Sequence, residues 1–114
     1  MRHGASEITV TAWLALLLAG VLEVVWALSL KATDGLTRFW PLMMTLSTII
    51  LSFGLFTFSL KAVPFGTAYA VWAGIGAAGS MIAGMVMFGE SADAFRIACL
   101  TLIIGGMIGL KLAS

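Results

Sequence analysis

Charge is what this sequence has least of. Only 10% of its 114 residues are Asp, Glu, Lys or Arg, whereas 61% are hydrophobic; a soluble domain carries about 25% charge. Too few charged side chains remain to coat a globule in water. A mean hydropathy of +1.13 makes lipid the expected solvent for most of the surface. The net charge of +1 gives no electrostatic claim on nucleic acid. The single cysteine, Cys99, excludes an intramolecular disulfide and the usual zinc ligand sets. It lies in an apolar run, where an inert packed thiol is the plainer reading. The one histidine, His3, sits in the leading tail, so a metal site or histidine-based catalysis has almost no material. No nucleophile–base constellation or cofactor motif is present, which argues against an enzyme and for no cofactor.

What is present is a set of long apolar runs. A bilayer core needs roughly 20 apolar residues in helical form, and four segments qualify: residues 11–30, 39–60, 61–90 (charge-free between its ends) and 94–110. None shows the two-residue alternation of a membrane β-barrel, and helix is the remaining way to satisfy the backbone in lipid. The expected fold is therefore an all-α membrane protein with four transmembrane helices in residues 11–114, preceded by a polar tail, residues 1–10, to which no structure is assigned. The connections are short. Residues 31–38 hold an Asp-Gly turn signal, residues 61–65 a proline, and residues 89–93 offer Ser91 as N-cap of the fourth helix. A cleaved signal peptide is a poor reading of the first run, which is longer than the usual apolar region and carries a carboxylate. Trp13 and Trp40 fall near span ends, as in an interfacial aromatic belt.

Charge does not orient the chain. Four spans place Arg2, Lys61 and Lys111 on one side and Lys31, Arg38 and Arg96 on the other, three against three, so the positive-inside rule is nearly silent. Either a weak bias exists, or the chain inserts both ways and pairs antiparallel. Gly76, Ser80 and Gly84 recur at four-residue spacing in the third span, and Gly105 and Gly109 in the fourth. Such ladders let helices approach closely, although glycine is common in membrane helices in any case.

Glu23 stands apart from the other acidic residues, which lie outside the spans or at their edges. It is eleven residues beyond Ala12, roughly 16 Å along a helix and hence near mid-bilayer. A charge there costs at least about 2.5 kcal/mol on insertion scales. Burial favours the neutral form of a carboxylate, so this group should hold a proton readily and release it to a cation. The plain alternative is a protonated glutamate hydrogen-bonded between helices. Trp26 lies one turn along on the same face, and Tyr69, Trp72 and Gly76 share another face. Aromatic rings attract cations, and Tyr and Trp donors can fix a carboxylate; with Glu23 they suggest a cation site. Ser52 is a weaker candidate, since membrane serines often bond only to their own helix.

These stretches resemble the small multidrug resistance transporters. The similarity is carried by AGVLEVVWALSLK (residues 19–31), GLTRFWP (35–41), PFGTAYAVWAGIGA (64–77) and IGGMIGLK (104–111), and covers about residues 12–112. Tryptophan three residues after the glutamate, as in Glu23-Val-Val-Trp26, is similar to the guanidinium-exporter branch; the quaternary-ammonium branch typically has a small residue there. The stretches at residues 74–77 and 89–92 also read like the exporter branch. The leading tail departs from the family's compact start. The resemblance implies an antiparallel, dual-topology homodimer, multi-pass in the inner (plasma) membrane. In it two Glu23 carboxylates share one central site and take either protons or substrate. It implies that Trp26 and Ser52 hydrogen-bond and orient the carboxylates, that Tyr69 and Trp72 form aromatic walls, and that Gly74 and Gly76 mark a bend for alternating access.

Guanidinium suits such a site. It is planar, remains cationic, and its parallel N–H groups match a carboxylate in bidentate geometry. Binding needs ionised Glu23, so protons compete, and an inward proton gradient would drive the cation out. Two neighbouring carboxylates titrate as a pair. Bulky Trp26 would narrow the pocket against large rigid cations. Two other readings stay open: a proton-coupled exporter of quaternary ammonium compounds, and a non-transporting membrane subunit in which Glu23→Gln would change no flux.

Overall fold

The computed structural model describes residues 2–113; the side chains of residues 1–6, with Arg2 and His3 of the leading tail, lie outside what is described. Four helices follow one another: α1 (Arg2–Ala32), α2 (Phe39–Ser59), α3 (Phe65–Met87) and α4 (Ala94–Ala113). Each is long and apolar enough to cross a membrane. The expected spans all appear. The main difference is at the start, where the polar tail, from Arg2 onward, continues α1. At about 1.5 Å per residue α1 reaches roughly 46 Å, longer than a hydrocarbon core.

The turns are closed by their own polar groups. After α1, the Thr33 hydroxyl donates to the Leu30 carbonyl at 2.6 Å and accepts the Leu36 amide at 3.1 Å. Asp34, Gly35 and Leu36 all have positive φ; Leu36, at φ 69°, is a bulky side chain in a region that disfavours one. Pro41 falls in the first turn of α2, where a missing N–H costs little. The α4 cap is Asp93 rather than Ser91. Asp93 Oδ1 accepts the Arg96 amide at 2.9 Å, while the Ser91 hydroxyl donates to Oδ2 at 3.1 Å. Asp93 immediately precedes Ala94, so its carboxylate reaches the free amides of the first turn, and Ser91 supports it from behind.

α1 is the central helix. It packs against α2 and α3, whereas the backbone of α4 comes close only to that of α3 among the described residues. Association in lipid draws on close packing and hydrogen bonds rather than water exclusion, and α1 supplies small residues for it: Ala12, Ala15 and Ala19 are buried. They join Trp13, Leu16, Phe56, Val63, Ala68, Val71 and Trp72 in one core or beside it, towards the α2–α3 turn. A Cβ at Gly20 would overlap Ile75, and one at Gly79 would overlap Val24. These glycines bring α1 and α3 together. The ladder of α4 behaves differently: a Cβ at Gly105 or Gly109 would meet nothing within 4 Å in the single chain.

Candidate functional site

The site begins at one hydroxyl. Ser52 on α2 is fully buried, and its Oγ donates to the Ala19 carbonyl of α1 at 2.8 Å. The same Oγ accepts the indole N–H of Trp72, on α3, at 3.0 Å. One serine thus ties three helices at a point. In an α-helix the carbonyl of residue 19 also accepts the amide of residue 23, so the hydroxyl lands on the turn that carries Glu23. The hydrogen-bonding capacity of Ser52 goes across helices, not back into its own.

Trp72 is held on its other sides by rings. Phe56 stacks on it at 4.6 Å between centroids, and Phe53 and Tyr69 meet it edge-on at 5.1 and 5.9 Å. Tyr69 is also edge-on to Phe56, at 6.3 Å. Each such pair contributes about 0.5–1.5 kcal/mol beyond its burial. The result is a fixed aromatic wall with Trp72 buried and Tyr69 exposed.

Glu23 is half-buried. Its carboxyl lies against α3 where Gly76 presents no side chain, and a Cβ there would overlap Oε1 and Cδ. Oε1 is buried and has no hydrogen-bond partner among the described residues; the ion pair found among those residues, Arg96–Glu90 at 3.5 Å, lies elsewhere, between α4 and the α3–α4 turn. A carboxylate in this position keeps its acceptor capacity for something that enters from outside the chain. A buried acceptor left unfilled is costly, which sets this oxygen apart from the other side-chain oxygens of the described residues.

Of the residues picked out in the sequence, Ser52, Trp72 and Tyr69 are joined in one network, and Glu23 is linked to it through the Ala19 turn. Trp26 stands apart: it is half-buried, and its indole is not bonded to the Glu23 Oε1. Within one chain neither Ser52 nor Trp26 hydrogen-bonds that oxygen. Gly74 and Gly76 lie in an unbroken α3. Their bare Cα atoms admit side chains, Met107 at Gly74 and Glu23 at Gly76. Sequence reasoning passed over Phe53 and Phe56. The signal was present, since Phe56 is one helical turn beyond Ser52 and shares its face.

With this geometry in view, the comparisons with known proteins are decisive about kinship. The family model described as Small Multidrug Resistance protein matches residues 11–103. The chain belongs to that family. It is also similar to proteins named guanidinium exporters. The one from Proteus vulgaris is 51% identical over 90% of this chain and 98% of its own length. That of Escherichia coli K12 is 51% identical over 90% and 97%, and that of Citrobacter freundii 49% identical over the same shares. The Ser52–Trp72–Tyr69 network and the open carboxyl of Glu23 fall within the matched family region.

Proposed function

We propose that this member of the small multidrug resistance family is a secondary transporter that exports guanidinium or small guanidinyl cations in exchange for protons, and is not an enzyme. The observation that carries the reading is the buried Oε1 of Glu23, without a partner among the described residues, against Gly76, one helical turn along α3 from the aromatic wall at Trp72. Relatives at 51% identity that bear the name guanidinium exporter supply the substrate. A planar cation would bring parallel N–H donors to the carboxylate and lay its face on an aromatic ring. A proton satisfies the same oxygen by neutralising it. The two ligands exclude one another at one carboxylate, so the gradient of either drives the other.

Two copies in antiparallel orientation complete the site in this reading. The even split of Lys and Arg across the two sides supports it, as does α4, whose Gly105 and Gly109 remain open to an approaching helix. The pair would sit in the inner membrane, with both Glu23 carboxylates facing a common chamber. A tag at the C-terminus should then be reached by an impermeant reagent from both faces of intact cells; labelling from one face alone would refute the dual orientation.

A cation panel tests the substrate. Transport currents from reconstituted protein should appear with guanidinium and be weak with bulky rigid quaternary ammonium ions. The reverse ranking would assign the chain to quaternary ammonium export, and silence with both would favour a non-transporting subunit.

A further inference from the structure

A second feature lies on another stripe of α1 from the one that carries Leu16, Ala19 and Glu23. α4 leans on α3 but makes no close backbone approach to α1. The gap between them is an open crevice of about 310 Å³, walled by Trp13 and Leu17 of α1, Ile75 of α3, and Ile104 and Met107 of α4. The volume is in the range of small-ligand sites, roughly 300–1,000 Å³. Its lining is almost wholly apolar, and one charged side chain, Lys111, stands in it. The Lys111 ammonium sits over the Trp13 ring, 4.8 Å from its centroid, in the last turn of α4. No carboxylate among the described residues pairs with it.

From this arrangement we infer that the crevice between α1, α3 and α4 is a site for an anionic phospholipid, with one acyl chain along Leu17, Ile75 and Ile104 and the headgroup phosphate on Lys111. Charge complementarity selects the occupant. The apolar floor is open rather than enclosed, and between membrane-spanning helices an empty void there would forfeit dispersion contacts on one side. A chain that fills it arrives with a headgroup, and at the end of α4 that headgroup meets a cation held over an indole and without a carboxylate partner among the described residues. Basic residues at the ends of crevices between membrane helices recognise anionic headgroups in this way. Zwitterionic lipids fill the same floor but bring a second positive charge to Lys111. The inference is independent of the guanidinium reading, because it uses neither Glu23 nor Ser52.

The test is lipid retention. Intact protein is purified in mild detergent, given equal phosphatidylglycerol and phosphatidylcholine with identical acyl chains, and examined by native mass spectrometry. The wild type should keep phosphatidylglycerol in preference. Lys111→Gln should reduce that preference roughly fivefold, the share of one basic side chain near a membrane surface. Leu17→Trp, which fills the floor and leaves Lys111 in place, should lower retention of both lipids; Ile104→Trp does the same from α4 if Leu17→Trp fails to fold. No preference in the wild type, or a preference that survives Lys111→Gln, would overturn the proposal. So would fillers that convert dimer to monomer without changing lipid retention, since a second copy would then be the occupant.

Discussion

The carboxyl of Glu23 on α1 rests on the bare Cα of Gly76 on α3, in a space that any side chain at residue 76 would occupy. That contact joins the two features on which the proposed function depends: a carboxylate deep in the membrane and a helix face cut away to receive it.

Gly76→Ala tests the contact. Overpacking costs about 1–3 kcal/mol, so the carboxyl must turn away and guanidinium affinity should fall roughly 5- to 150-fold, while the protein still assembles. Gly54→Ala is the control, because a Cβ there meets nothing within 4 Å. Binding titrations of both variants in detergent provide the measurement.

Ser52→Ala removes the donor to Ala19 and leaves the Trp72 indole N–H without its acceptor. Hydrogen bonds between membrane helices contribute about 0.6–2 kcal/mol each. The variant should lose stability on that scale and bind guanidinium more weakly, because the turn bearing Glu23 and the aromatic wall both loosen. Unfolding followed by tryptophan fluorescence reports the first effect and transport KM the second.

Much of this was legible in the chain. The four helices follow from runs of about 20 apolar residues broken by Asp-Gly, Pro64 and the 89–93 turn, since lipid admits few other backbones. Glu23 stood out because a lone carboxylate in such a run is conspicuous. The inter-helix bonds were not legible. The periodicity of α2 places Ser52 on a face, but whether its hydroxyl meets its own helix or Ala19 depends on how closely α1 and α2 approach. The role of Gly74 was hidden for the same reason, since Met107 lies 33 residues further along the chain, on another helix. At the α4 cap, Ser91 and Asp93 were both suitable residue types, and only the helix start at Ala94 decides between them.

Trp26→Gly tests selectivity. If Trp26 narrows the pocket, its removal should raise transport of bulky cations relative to guanidinium by roughly tenfold or more. A substrate panel with unchanged ratios would remove Trp26 from the account of specificity.

Asp93 gives a pH dependence outside the membrane. The Arg96 amide and the Ser91 hydroxyl, with the Arg96 charge nearby, hold its carboxyl below the ordinary value of 3.8. Because the folded value is the lower one, the charged cap contributes fully above that ordinary value and is lost as pH falls through the folded value. Asp93→Ala should therefore lower the unfolding midpoint at neutral pH, and its difference from wild type should narrow below about pH 3.8. Thermal unfolding across a pH series reads this directly.

In the proposed exchange, protons and guanidinium compete for Glu23. The most direct test is uptake of labelled guanidinium into proteoliposomes that are acidic inside and diluted into alkaline buffer, wild type beside Glu23→Gln. The wild type should accumulate guanidinium until the gradient is dissipated, and Glu23→Gln should accumulate none. Gradient-driven uptake by Glu23→Gln at the wild-type rate, or wild-type uptake indifferent to the gradient, would contradict that competition.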